Sequence, residues 1–359
     1  MHLFKSKAAR RDAVTYLLVV LAFAVVCFMQ ANRLIPRMIA GQLVPICSYV
    51  VMALSLNLVV GVAGDLSLGH AGFMSVGAFT GIVCAMSLVD VVPNDSIRLV
   101  LAIVVGAAAA ALAGFVIGIP VLRLSGDYLA IVTLAFGEII KEIVTCLLVG
   151  VDERGLHVMF NLTGKLTVDD LGLSETGRAI IKGAQGASGM QSIATFTAGF
   201  ILVMVTLVVV LNLVRSRTGR AIIAVRDNRI AAESVGISTT KYRMIAFVVS
   251  AALAGAAGAL FGNGFSQLSA SKFDFNTSIL ILVFVVLGGL GNMRGSIVAA
   301  VVLTILPEAL RQFSDYRMLV YAIVLILVMV VGNNPRIKEF IARHLPRRGG
   351  RGQEVGEHA

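Results

Sequence analysis

Glu138, Lys141 and Glu142 stand in the stretch LAFGEIIKEI, inside an otherwise apolar run, at the i, i+3, i+4 spacing that puts them on one helical face. If the run begins near Tyr128, Glu138 lies about ten residues in, roughly 15 Å at helical rise and close to the middle of a bilayer. An ionisable group at that depth is costly unless it faces protein interior or water, so it points to a solute or ion path. It is equally the composition of a Glu-Lys pair that locks two helices and touches no solute, and the residues leave both open. Asp127 and Tyr128, at the head of the same run, are grouped with the three as pathway candidates.

A second set of candidates surrounds glycine breaks. VVGVAGDLSLGHA (59–71) and VLGGLGNMRGSIVAA (286–300) each end an apolar run in Gly-x-x-Gly followed by Asp or Asn, so that Gly61, Gly64 and Asp65 align with Gly288, Gly291 and Asn292. A helix interrupted there, near Asp65, Ser67, Gly69 and His70, exposes backbone N–H and C=O groups that can meet the carboxylate and ammonium of a zwitterion. The alternative is a pair of interhelical turns, with His70 as a polar turn residue and not a proton relay. No nucleophile, metal set or acid/base constellation gathers elsewhere. The five histidines are scattered, and Cys27, Cys47, Cys84 and Cys146 lie in or beside apolar runs without metal-ligand spacing.

The elements that must position these residues are membrane spans. Hydrophobic residues make up 58% of the 359 and charged ones 14%, against about 25% charged in a soluble domain. Mean hydropathy is +0.91. The expected fold class is an all-α polytopic bundle of about ten spans of roughly 20 residues, some of them broken. Candidate spans are 14–31, 43–62, 71–92, 99–122, 128–150, 193–214, 244–265, 277–290, 295–310 and 317–332. The opening MHLFKSKAARRD and its apolar sequel lack an A-x-A cleavage site, so a retained first span is expected. The division is 1–42 as N-terminus and first span, 43–335 as the transmembrane domain, and 336–359 as a basic tail. Threading places 19 Lys and Arg residues on the side of both termini and 10 on the other. The richer side is therefore expected to be cytoplasmic. The net charge of +10 then reads as positive loops, and no nucleic-acid partner is implied.

Two loops stand out. Residues 151–192, on the far side, are nearly neutral, rich in glycine and long enough to hold a small exposed structure. Residues 215–243, on the basic side, contain RTGRAIIAVRDNRIAAESVGIS. Asp227 or Asn228 can cap a short helix with body Arg229–Val235, and Gly236 is a natural stop. Its charge suits anionic lipid or an acidic protein surface, or simply a solvated loop.

RTGRAIIAVRDNRIAAESVGI, with KYRMIAFVVSAALAGAAGAL after it, resembles the cytoplasmic coupling region of permease subunits of branched-chain amino acid ABC transporters. GIPVLRLSGDYLAIVTLAFGEII (118–140), NLVVGVAGDLSLGHAGFMSVGAFTG (57–81) and VVLGGLGNMRGSIVAA (285–300) resemble that family too, the likeness covering about 45–335. The resemblance implies a permease of the LivM type moving Leu, Ile or Val inward. It implies as partners a second permease, two cytoplasmic ATPases and an external solute-binding protein. It places Arg220, Arg226, Asp227, Ala231, Ala232, Glu233 and Gly236 at the ATPase contact. No G-x-x-x-x-G-K-[ST] is present, so ATP would be used by partners, with no cofactor on this chain. The family's Thr-Gly-Gly type stretch has only QGASGM (185–190) as counterpart, which leaves related permeases for urea, amides or other amino acids open. A proton-coupled carrier using Glu138 or Asp65 is the competing class.

Overall fold

The computed structural model describes residues 7–32, 36–124, 126–152, 155–161, 168–172 and 177–310, with 322, 323 and 326. Of the tenth expected span only 322, 323 and 326 are among these residues, and the tail lies outside them. Residues 1–305 form one compact unit and 306–359 a second.

The helices are α1 (Lys7–Ala31), α2 (Arg37–Asn57), α3 (His70–Ser87), α4 (Asp95–Val121), α5 (Asp127–Thr145), α6 (Phe196–Arg215), α7 (Arg217–Asp227), α8 (Arg229–Ser234), α9 (Thr239–Gly262), α10 (Phe275–Gly288) and α11 (Met293–Ala309). All of them lie in the first unit except the last turn of α11. Five stretches are long and apolar enough to cross a membrane: Ile39–Ala63, α3, α4, α6 and α9. Thr15–Gln30 and α10 are apolar but shorter. α5 has the length of a span but carries Asp127, Glu138, Lys141 and Glu142.

Burial separates centre from periphery. The apolar window of Ile39–Ala63 is 89% buried, whereas that of α4 is 22% buried. The outward face of α4 shows Val100, Val104, Leu112 and Val116, side chains that lipid tails solvate as well as a protein core does. Its inward face is a ladder of small residues, Gly106, Ala110, Gly114 and Gly118, all buried and spaced one turn apart. These meet α9, which packs on both α3 and α4. The approach is at backbone distance: a Cβ on Gly77 of α3 would lie 2.1 Å from the Gly255 carbonyl oxygen of α9. Where lipid removes the hydrophobic drive for helix association, such van der Waals contact is what holds helices together.

The contacts define two ends. At one end Arg243 of α9 reaches the carbonyls of Leu122 and Leu124, beyond α4, and Arg226 of α7 reaches Gly61. At the other, Ile193 N–H donates to the Asn263 carbonyl, and Arg178 stands 3.9 Å from Asp90.

The bundle is helical as expected, and the second end adds a small sheet to it, most of it in the long loop 151–192 and the residues just before it. β1 (Leu147–Asp152), β2 (Gly155–Phe160), β3 (Arg178–Lys182) and β4 (Ala187–Ser188) join β5 (Gln267–Leu268) in a five-stranded antiparallel sheet of order β2-β1-β3-β4-β5. β1 was expected to be the end of the span 128–150. Its sequence LLVGVD extends the apolar run without a break, and an apolar run alone does not distinguish a buried strand from a helix. QGASGM supplies β4: Gly186 takes φ +75°, and a Cβ there would lie 2.1 Å from the Leu268 carbonyl oxygen.

Gly77→Ala is expected to lower thermal stability in detergent by about 1–3 kcal/mol, the usual cost of overpacking. Gly41→Ala, where a Cβ meets nothing within 4 Å, should leave the unfolding midpoint unchanged.

Candidate functional site

The polar segment between α6 and α9 is two helices, not one. Ser216 caps α7, its Oγ accepting from Gly219 N–H at 3.1 Å. Asn228 caps α8, its Oδ1 accepting from Ala231 N–H at 3.0 Å. Asn228 rather than Asp227 is therefore the cap, and the helical body ends at Ser234 rather than Val235. Gly236, at φ +83°, closes it, with Ile237 N–H returning to the Ala232 carbonyl. α7, unforeseen in the sequence, seats Gly219, Ile222 and Val225 in the protein. α8 buries Ala232 and turns Ala231, Ile230 and Val235 outward. Arg220 is exposed beside the Arg215 carbonyl.

Glu233 ties α8 to the start of α9. Its Oε1 accepts from Thr239 Oγ1 at 2.8 Å and from Arg229 Nε at 3.3 Å. The Thr239 hydroxyl first, then Arg229, hold this exposed carboxyl below its ordinary 4.5.

Behind α7 the chain breaks. α2 runs into a π-helical turn, Leu58–Ala63, that stops at Gly64 with φ +78°. Widening the helix frees carbonyls from their usual partners. Arg226 Nη1 donates to one of them, that of Gly61, at 3.2 Å, while its Nε and Nη2 grip Asp227. On the other side of Gly61 lies the second break: a Cβ on Gly61 would stand 2.3 Å from the backbone nitrogen of Gly291. Buried Asn57 joins the two, its Oδ1 accepting from Gly291 N–H at 2.8 Å and its Nδ2 donating to Ser296 Oγ at 2.8 Å. Gly288 packs against Gly295 and Ser296 where α10 turns into α11. The two glycine breaks thus touch.

Asp65 follows immediately and is not free. Arg243 grips both its oxygens, Nε to Oδ2 at 2.8 Å and Nη2 to Oδ1 at 2.7 Å, and donates Nη1 to the Leu122 carbonyl at 2.9 Å. The side chains are 7% and 13% exposed. Asp65 was a foreseen candidate, but neither Arg243 nor Asn57 was. Asp65 is the one acidic residue between Asp12 and Asp90, which signals that a cation must meet it without saying which.

From Gly64 the chain passes inward before α3 starts. His70 Nε2 meets Ser55 Oγ at 2.8 Å, both buried; Leu68 N–H donates to Thr133 Oγ1 and Ala71 N–H to Ser278 Oγ. The Ser67 hydroxyl is buried without a hydrogen-bond partner. Further along α5, Glu138 pairs with Lys141, which also approaches Glu142 at 3.6 Å. Glu138 Oε1 accepts from Phe275 N–H at 3.1 Å, so it caps α10 beside Asp274. Glu142 is largely exposed. Asp127 and Tyr128 are exposed at the other end of α5, apart from Glu138.

A helical bundle with two apposed breaks, no gathered catalytic set among the described residues, and a capped polar segment hydrogen-bonded to one break has the build of a membrane transport subunit. The chain matches the family "Branched-chain amino acid transport system / permease component" over residues 38–329, and it belongs to that family. It is 35% identical over 289 residues to the high-affinity branched-chain amino acid transport system permease protein LivM of Escherichia coli (strain K12), covering 79% of this chain and 66% of LivM. LivM of Salmonella typhimurium gives the same figures. LivH of Salmonella typhimurium is 27% identical over 291 residues, covering 79% of this chain and 89% of LivH. The match thus spans just under two thirds of the length of the LivM relatives. No solved structure matches the chain.

Asp65→Asn leaves the buried Arg243 guanidinium uncompensated and should cost about 3–5 kcal/mol of stability, read as a lowered unfolding midpoint. For Glu233 the folded pKa is depressed, so its contribution is complete above the ordinary carboxyl range and lost as pH falls through the folded value. Proteolysis between α8 and α9 should accelerate only below about pH 4–5, while Glu233→Gln should be cleaved rapidly at pH 7.

Proposed function

We propose that this chain is one of two permease subunits of an ATP-driven importer of branched-chain amino acids. The observation that carries the reading is Arg226, which joins the exposed α7–α8 segment to the Gly61 carbonyl at the helix break. α8 offers a soluble partner capped polar backbone with Ile230 and Val235 projecting from it, 81% and 73% exposed. That partner is a cytoplasmic ATPase, one of two, which uses the ATP. The segment rides on α7, and α7 carries Arg226 in its last turn. Motion imposed on α8 therefore reaches the break, and Gly61 and Gly291, in contact with each other, are carried with it as access alternates. A state shift so driven is bounded by the partner's differential affinity for the two states.

Orientation follows from charge. Among the described basic residues, Arg123, those of 215–243 and Arg294 go with the α7–α8 end, and Arg98, Arg178, Lys182 and Lys272 with the sheet end. The first end is then cytoplasmic, with both termini on that side and about ten crossings of the inner membrane. The sheet faces outward, where a solute-binding protein delivers cargo, and a sister permease completes the path. A proton-coupled carrier is disfavoured, because Asp65 and Glu138 are each engaged by a cation or a helix N-terminus.

The test is reconstitution of this chain with sister permease, ATPases and binding protein in proteoliposomes. Leucine uptake should require ATP; uptake by this polypeptide alone, driven by a pH gradient, would overturn the reading. Arg226→Ala should lower ATP-driven uptake about tenfold or more, the worth of one charge-assisted hydrogen bond, while ATPase association persists. Glu233→Gln and Gly236→Val should weaken substrate-stimulated ATP hydrolysis. Glu138→Gln, which removes the charge paired with Lys141, should reduce uptake more than Glu142→Gln; equal, near-normal uptake by both would leave the cluster a purely structural role.

A further inference from the structure

A cavity of about 310 Å³ opens at the sheet end, and none of the pathway candidates lines it. Its polar lining is Arg98, Arg178, Gln191 and Asn263, and its apolar wall includes Met86 and Met190. No carboxylate lines it.

Arg98 is the unusual member. It sits in the first turn of α4 with its side chain 7% exposed, and its Nε has no hydrogen-bond partner. Its carboxylate partner, Asp95, meets Nη2 at 2.6 Å but is itself 62% exposed. A carboxylate facing water screens a buried guanidinium weakly, and a buried N–H left unpaired has a cost that calls for an explanation. Arg178 adds a second guanidinium, whose partner Asp90 stands off at 3.9 Å with both side chains mostly exposed. A concave site with two guanidiniums, two amides and an apolar wall is chemically suited to a small molecule carrying a carboxylate and an apolar side chain.

We propose that this cavity is an entry subsite that holds the carboxylate of an apolar amino acid on Arg98 before the solute reaches the helix breaks. The inference rests on the transport reading and names a step within it. Arg98 supplies the forked donor geometry that a carboxylate matches, and Met86 and Met190, unbranched and adaptable, accept side chains of differing branching. Asp95 meets one terminal nitrogen of the guanidinium from the solvent side and leaves Nε without a partner. An acidic side chain of a docking protein would use the same charges; it is the competing occupant, and the small carboxylate is favoured because the Arg98 side chain is only 7% exposed and shares the cavity with Met86 and Met190, below the exposed Arg178 and Gln191.

The test uses the purified importer complex in nanodiscs, without binding protein, and saturation-transfer NMR with three probes: L-leucine, isovalerate, which lacks the ammonium, and isoamylamine, which lacks the carboxylate. Leucine and isovalerate should bind and isoamylamine should not. Arg98→Gln should weaken both carboxylate probes by about tenfold, the usual worth of a hydrogen bond to a charged group. Arg98→Lys keeps a positive charge beside Asp95, and with it the fold, yet should lose most of that affinity. Asp95→Asn frees the guanidinium and should leave binding unchanged or tighter. Equal binding of isoamylamine, unchanged carboxylate affinity in Arg98→Gln and Arg98→Lys, or a loss in Asp95→Asn matching that in Arg98→Gln would each overturn the subsite. So would variants that keep leucine affinity but no longer bind the solute-binding protein. Absence of ATP-driven leucine uptake by the wild-type complex would instead overturn the transport reading, which distinguishes the two failures.

Discussion

A helix that breaks in an apolar bundle releases backbone groups from the helical ladder, and each one that is buried must find a partner within the protein. This chain breaks twice, and the two breaks satisfy each other. Gly291 gives its N–H to Asn57, which stands one turn before Gly61, and the Gly61 carbonyl accepts from Arg226. Only glycine permits the contact, since a Cβ on Gly61 would lie 1.9 Å from Asn57 Oδ1 and 2.3 Å from Gly291 N. The requirement that polar backbone be paired thus sets the position of α2, the turn between α10 and α11, and the seat of α7.

The same requirement explains why a polar segment is joined to the interior by charge. Arg226 and Arg243 flank the segment, one bonded to the π-helical turn and the other to Asp65 and the end of α4. Between them they fasten α7, α8 and the start of α9 to the break between α2 and α3, Arg226 at Gly61 and Arg243 at Asp65. Under the proposed function, a partner moving α8 would act on that break through two guanidiniums. At the opposite end Glu138 caps α10, so α10 is held by side-chain hydrogen bonds at its first turn and by glycine packing at its last. A helix held in this way can tilt as a unit, which is the kind of motion alternating access needs.

Much of this was legible in the sequence. The first nine apolar runs each coincide with a helix, with ends displaced by up to about seven residues, because period and length are strong signals for the existence of long apolar helices and weak ones for their boundaries. The capped polar segment and both glycine breaks were visible, and the sequence echo between 59–71 and 286–300 joined stretches that are in contact in space. The sheet was not legible. LLVGVD continues an apolar run, and β4 and β5 are two-residue strands paired across about eighty positions of chain. α7 was hidden because RTGRAIIAVRD reads as basic loop until Gly219, Ile222 and Val225 are seen to face the protein. Asn57 and Arg243 were missed because each gains its role from a partner more than a hundred residues away, a pairing that composition and spacing do not encode.

The central claim is that α8 and the apposed breaks move as one body. It is tested most directly by spin labels in a cysteine-free background on Ile230, which is exposed on α8, Leu290, exposed at the second break, and Val91, exposed at the sheet end. Distances are then measured by double electron–electron resonance in the reconstituted complex with and without ATP. The account requires the 230–290 distance to stay constant while both change relative to 91. A 230–290 distance that shifts with nucleotide while 290–91 stays fixed would contradict it.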